Sequence, residues 1–345
     1  ENKDKPSYRT ANMGHSINAI ESFGADRVFH NYWIPIVNDI KQPKEKKKAI
    51  LFVQRGSAGD VLITSSCFPG LRQRHPDTPL WYMTKPEYHN IVEGLVDGVI
   101  SWQPSLIHDY EYVYIPHEFR VLTGNWGAGD STLTRIYSEM LGVPFNRPQI
   151  IPDPIDNLPA EYIVVHTTSH KFRTYLNFHM ALNKSRLPII QIGGKNDYIL
   201  GNGEFELIDM RGKLSFRQTA YVISQAKLFV GIDSYPMHVA GVFDVPMVIT
   251  FGSGSARVTA ALSNGAQRFL EPVYSKVCPI IGPCFGNYDC KHPCGERHSH
   301  ELVREAIKQI MPDLFKETIK DVSNVSAKLK ELLNQKSRKE ESCQV

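Results

Sequence analysis

Apolar residues along this chain gather in short runs separated by stretches of helical spacing, the rhythm of alternating strands and helices. Residues 49–53 (AILFV) form an unbroken apolar run between Lys48 and Gln54, which suits a strand buried on both faces of a parallel sheet. The run breaks into a turn carrying Gly56 and Gly59, whose freedom allows a sharp reversal, and Asp60 falls at the start of the helical pattern that follows. Further short strands are predicted at residues 80–84, 99–102 and 112–115. Residues 131–141 place Leu133, Ile136, Tyr137, Met140 and Leu141 on one helical face.

Five prolines between Pro144 and Pro159 make that stretch a poor place for regular structure and mark an interdomain linker. The rhythm then restarts, with strands predicted at 162–165, 189–192, 207–209, 228–230 and 247–251. Ser215 followed by Gln218 has the form of a capping box opening a helix through Gln225, and Pro236 suits the first turn of a helix running to Val242. Leu302, Val303, Ala306, Ile307 and Ile310 mark a helix after His300, and residues 325–339 are amphipathic. The predicted organisation is a polar extension over 1–46 with an apolar patch at 28–37, a first α/β half over 47–155, a second over 156–311, and a helical tail over 312–345. Two doubly wound halves joined in this way face one another across a cleft, and ligands of open α/β sheets bind outside the carboxyl ends of the strands.

The length of 345 residues agrees with two domains. A hydrophobic content of 42% and a charged content of 22% argue against wholesale disorder, and no apolar run is long enough to cross a bilayer. A net charge of +3 is too small to imply nucleic acid, and the basic run at 41–48 reads as a solvated linker, so no stable nucleic-acid partner is expected.

Two loops carry chemistry. Asp60 stands at the mouth of the first sheet, where it meets a substrate or simply caps its helix. In the second half a buried strand ends at Asp233 and a helix starts within three residues. The backbone N–H groups of Ser234, Tyr235, Pro236's neighbours Met237 and His238 then favour an anion such as a diphosphate. Asp233 is placed to accept hydrogen bonds from sugar hydroxyls, and the alternative is a plain βα turn with His238 packed in the helix.

The strings GSAGDV (Gly56, Ser57, Ala58, Gly59, Asp60, Val61) and DSYPMH (Asp233 to His238) resemble the signatures of glycosyltransferase family 9, the lipopolysaccharide heptosyltransferase family. Residues 211–231 resemble the family's run into the second of these loops, and the likeness spans roughly residues 49–310. Tyr235 departs from it, standing where the family commonly has Gly. The resemblance implies the GT-B fold, two Rossmann-like domains with acceptor on the first and nucleotide-sugar donor on the second. It implies an inverting transfer of a sugar, by family habit heptose from ADP-heptose, to a glycan hydroxyl in the cytoplasm, with peripheral contact to the inner membrane surface. Asp60 is the implied general base. Arg173, or Lys171 beside it, is the implied cation on the leaving diphosphate, with Thr167 and Thr168 donating to it. Asn196 and Asp197 are candidate ribose contacts. No D-x-D string is present, so activity without a divalent cation is expected. The alternatives are a protein O-heptosyltransferase of the same family and a GT-B glycan- or nucleotide-binding protein without turnover.

Four cysteines, Cys278, Cys284, Cys290 and Cys294, fall within one Gly- and Pro-containing loop. Three readings are open: four thiolates around one structural Zn²⁺ or iron ion, paired disulfides, or free thiols. His292, His298 and His300 are spare ligands, and many relatives of the family carry a similar stretch before the final helix.

Overall fold

The computed structural model describes residues 45–116, 132–169, 175–272 and 298–315. The first half runs β1 (Lys47–Val53), α1 (Ala58–Thr64), α2 (Phe68–Arg74), β2 (Leu80–Thr84), α3 (His89–Val92), β3 (Gly98–Ser101), β4 (Tyr110–Tyr114) and α4 (Leu133–Leu141). The second runs β5 (Ile163–His166), α5 (Phe178–Ala181), β6 (Ile189–Ile192), β7 (Leu207–Asp209), α6 (Phe216–Ser224), β8 (Leu228–Ile232), α7 (Tyr235–Val242), β9 (Met247–Thr250), α8 (Ala256–Thr259), β10 (Gln267–Leu270) and α9 (His300–Ile310).

Both sheets are parallel, in the orders β3-β2-β1-β4 and β10-β9-β8-β5-β6-β7. These are two Rossmann-like α/β units, the GT-B class of fold. The order reverses between β1 and β4 in the first sheet and between β5 and β8 in the second, and a crevice opens at each reversal.

β1 is central because its residues Ile50, Leu51, Phe52 and Val53 are fully buried. Alternate side chains serve opposite faces. Phe52 stacks on Tyr82 at 5.4 Å under α1, whereas Leu51 and Val53 pack with Met83 and Ile107 on the other side. The capping box at Ser215 forms as the spacing predicts, its hydroxyl accepting the Gln218 N–H at 3.1 Å while the Gln218 side chain accepts the Ser215 N–H at 3.0 Å. Strand β10 has no clear signal in the sequence, since its residues Gln267–Leu270 mix polar and apolar types and remain partly exposed at the sheet edge.

The halves touch. Helix α1 packs against α7 and α3 against α6, and one cluster of buried apolar side chains runs from Phe52 and Val61 to Tyr235 and Met237. The proline-containing connection contributes Arg147, whose guanidinium forms a bidentate pair with Asp244 at 2.9 and 2.6 Å and donates to the Gly241 carbonyl at 2.7 Å. Arg147 holds the Asp244 carboxyl well below the usual carboxylate range.

That pair is part-exposed, at 41% and 36% of the two side chains, so after solvent screening Arg147→Ala is expected to cost about 1 kcal/mol at neutral pH. A carboxylate with a depressed pKa in the folded state stabilises above its ordinary pKa and loses that contribution as pH falls. The melting-temperature difference between parent and variant should therefore shrink below about pH 4. An unchanged difference at acid pH would remove the ion pair from the account.

Candidate functional site

The acidic loop is built around the first turn of α1. Asp60 Oδ2 accepts the Ser57 N–H at 3.0 Å and the Ser57 hydroxyl at 2.9 Å, while Oδ1 accepts the Tyr137 hydroxyl at 3.3 Å. Asp60 thus caps its helix and keeps Oδ1 on the side of a phenol. Gly56 is required by close approach, because a Cβ there would lie 2.6 Å from Asp60 Oδ2. Gly59 faces the other half: a Cβ on it would stand 3.4 Å from His238 Cδ2 on α7. Ser57 is exposed and Ala58 buried.

The second loop starts α7 with Ser234 as N-cap and Pro236 in the first turn, where proline's fixed φ fits and its missing N–H is not needed. Ser234 donates to the Ile232 carbonyl at 3.1 Å and its Oγ lies 3.0 Å from His166 Nδ1. His166 closes β5, and its Nε2 lies 3.6 Å from Asp197 Oδ2. Asp197 also accepts the Gly194 N–H at 2.7 Å. Gly193 takes φ +140° with Asp197 Oδ2 only 2.3 Å from where its Cβ would be. His166 therefore ties together the loops after β5, β6 and β8, at the reversal of the second sheet. Sequence reasoning missed it, although a histidine ending the otherwise apolar string IVVH was the available signal.

Other predicted residues have settled partners. Asp233 is 1% exposed and accepts the Thr259 hydroxyl at 3.1 Å. Gly254 packs against that carboxylate, a Cβ there falling 2.3 Å from Oδ2. Thr167 donates to the Tyr198 carbonyl at 3.0 Å, and Thr168 Oγ1 accepts the Tyr198 N–H at 3.4 Å. Asn196 is exposed. Pro236, Met237 and His238 are buried in α7. The Tyr235 ring is buried too, with its hydroxyl donating to the Phe216 carbonyl at 3.0 Å and the ring meeting that of Phe216 edge to face, 4.9 Å between centroids. Phe216 in turn meets Tyr88 of the first half at 5.8 Å. Burial pushes the Tyr235 phenol far above its ordinary pKa, so it is a neutral hydroxyl. The ring fills a helix contact at the domain junction.

Lys171 and Arg173 lie outside the described residues, as do Cys278, Cys284, Cys290, Cys294 and His292. Among the described residues no group of three or more His, Cys, Asp or Glu side chains is placed to hold a metal ion. His298, beyond the cysteine loop, donates from Nε2 to the Phe251 carbonyl at 2.8 Å, and burial lowers its pKa. His300 Nε2 lies 3.1 Å from Glu301. Among the described residues, no helix is long and apolar enough to cross a membrane.

Residues 195–279, which contain Asp197, Asp233 and α7, match the family model of glycosyltransferase family 9 (heptosyltransferase). The matched residues all lie in the second half. Solved structures extend the likeness in fold to both halves. A family 9 glycosyl transferase from Veillonella parvula aligns over 79% of this chain and 100% of its own, at 16% identity and a TM-score of 0.59. The E. coli ADP-heptose lps heptosyltransferase II aligns over 76% and 98%, at 14% identity and 0.55. The dodecameric iron-containing heptosyltransferase TibC of E. coli, in complex with ADP-D-beta-D-heptose, aligns over 79% of both chains, at 15% identity and 0.53. No curated protein matches the sequence.

The buried position of the Tyr235 ring sets a test. Tyr235→Gly, which restores the residue common in family 9, should cost about 3 to 5 kcal/mol through the lost aromatic packing. Denaturant unfolding would measure it, and near-parental stability would put the ring in the cleft instead.

Proposed function

We propose that the chain is an inverting glycosyltransferase that moves a sugar from a nucleotide diphosphate donor to a hydroxyl acceptor, and that the donor is ADP-heptose. The observation that carries this reading is the approach of the two switch-point loops, whose helices α1 and α7 pack on one another with Gly59, beside Asp60, facing His238. This approach supports a reading in which Asp60 acts as base beside an anion held at the start of α7. The family match and the heptosyltransferase relatives, one an ADP-heptose enzyme by its description and one complexed with ADP-heptose, support the donor.

In this mechanism the diphosphate sits at the start of α7, where backbone N–H groups and the helix dipole favour negative charge. His166 keeps the flanking loops in register, with Asn196 and Asp197 on the ribose side. The acceptor hydroxyl lies beside Asp60. Its oxygen attacks the anomeric carbon from the face opposite the diphosphate, the bond from that carbon to the phosphate oxygen breaks, and the nucleoside diphosphate leaves with the electron pair. Asp60 Oδ1 takes the acceptor proton. Lys171 or Arg173 offsets charge on the leaving oxygens. No step uses a divalent cation. The acceptor is a glycan, and the reaction takes place in the cytoplasm at the inner membrane surface, in lipopolysaccharide biosynthesis.

The cysteine loop is assigned a structural metal. Four thiolates suit a tetrahedral iron or zinc ion, and the iron-containing relative supports iron.

Asp60→Asn should reduce transfer from ADP-heptose by about two to four orders of magnitude while leaving the thermal shift produced by ADP almost unchanged. Near-normal turnover would exclude Asp60 as the base, and activity lost on brief chelation and restored by Mg²⁺ would exclude the metal-free mechanism. Elemental analysis of the purified protein should find about one equivalent of metal, and replacing any one of the four cysteines should lower stability because metal binding contributes to folding free energy. Metal-free protein with four freely titrating thiols would remove the metal site.

A further inference from the structure

The carboxyl edge of the first sheet holds four buried polar atoms without a hydrogen-bond partner among the described residues: Gln54 Nε2, Thr84 Oγ1, His89 Nε2 and Asn90 Oδ1. Such atoms are few in native proteins because each gives up its water without gaining a partner. Topology groups these four. Gln54 follows β1, and its N–H donates to the Met83 carbonyl at 2.9 Å, continuing the register that pairs Val53 with Met83. Gln54 and Thr84 are thus neighbours on adjacent strands. Two residues back, Phe52 and Tyr82 share the sheet face beneath α1, and side chains two apart share a face. Helix α3, which carries His89 and Asn90, packs on α1 from the same side.

The four groups are chemically mixed. Gln54 Oε1 accepts the Gly56 N–H at 2.8 Å, which orients the amide and leaves Nε2 as a donor. Asn90 Oδ1 is an acceptor, and the Thr84 hydroxyl and His89 Nε2 can serve in either sense. Gln54 and Thr84 are both 0% exposed and uncharged. A set of donors and acceptors without a committed charge matches vicinal hydroxyls, which also donate and accept. It matches neither a phosphate nor a carboxylate.

We propose that Gln54, Thr84, His89 and Asn90 form a subsite for a neutral sugar of the acceptor. This rests on the reading above, in which the first half binds the acceptor beside Asp60. Gly56 links the subsite to the base, since its N–H is held by Gln54 and its Cα abuts Asp60. The edge is covered by the contacts of α1 with α7 and of α3 with α6, so the sugar enters as those helices part.

The test uses the full chain and thermal shifts with methyl α-D-mannopyranoside, with the corresponding glucoside and galactoside in parallel. The parent should be stabilised by at least one of them. Thr84→Val should leave the melting temperature of the free protein unchanged or raised, because an unpartnered buried hydroxyl is replaced by a methyl of the same shape. It should also weaken the glycoside about tenfold, the value of one hydrogen bond. Thr84→Ser should restore the affinity. A parent indifferent to all three glycosides overturns the proposal, and so does a Thr84→Val protein that melts lower and binds the glycoside as the parent does. The ADP shift is read separately: its absence in the parent counts against the donor site, whatever the glycosides do.

Discussion

The packing of α1 on α7 is the constraint on which the rest of this structure depends. Two helix starts from different sheets meet there, with Gly59 facing His238 and room between them for a side-chain carbon at ordinary contact distance. The α1–α7 contact brings the carboxyl ends of the two sheets to a common site. Gly56 against Asp60 and Gly254 against Asp233 are tighter, since a side-chain carbon on either would collide with the carboxylate. These two glycines are the conditions under which the two carboxylates can be packed.

Polar residues in the second half serve mostly to hold loops to one another. Gln191 is wholly buried in β6 and donates to the Tyr198 carbonyl at 2.7 Å while accepting the Leu200 N–H at the same distance. Thr167 joins that network, and Arg211 closes it through a bidentate pair with Asp209 at 2.9 and 2.8 Å and a hydrogen bond to the Asp197 carbonyl. Loops fixed in this way are pre-organised, which matters because a charge-stabilising site acts best when its dipoles do not have to reorient.

Much of the fold was legible because parallel strands buried on both faces write themselves as short apolar runs. Leu80–Thr84 and Ile189–Ile192 can be read at the residues where they occur, and so can the short edge strand Leu207–Asp209. The opposite edge strand β10 could not, since Gln267 and Arg268 break its apolar run. The two loops were legible through glycine spacing, but what the side chains do in them was less so. Asp60 reads equally as a cap or as a reactive carboxylate, and its two oxygens divide between Ser57 and Tyr137. For Tyr235 the sequence leaves open whether the ring narrows the pocket or stacks on another group, and it packs on Phe216, a partner nineteen residues earlier in the chain. His166 was missed because its partners Ser234 and Asp197 come from distant loops. Tertiary pairing of that kind leaves no periodic trace in a sequence.

Arg147 and the start of α7 occupy opposite ends of one short rod. The helix has eight residues, so it is about 12 Å long. Its far end is gripped by a cation that donates to the Gly241 carbonyl, the end at which positive charge opposes the dipole. The connection between the halves is therefore joined to the same element that starts at Ser234, at the carboxyl end of the second sheet. The proline-containing connection is thereby fastened to α7 itself, because one guanidinium holds the last turn of the helix through the Gly241 carbonyl and a residue just beyond it through Asp244.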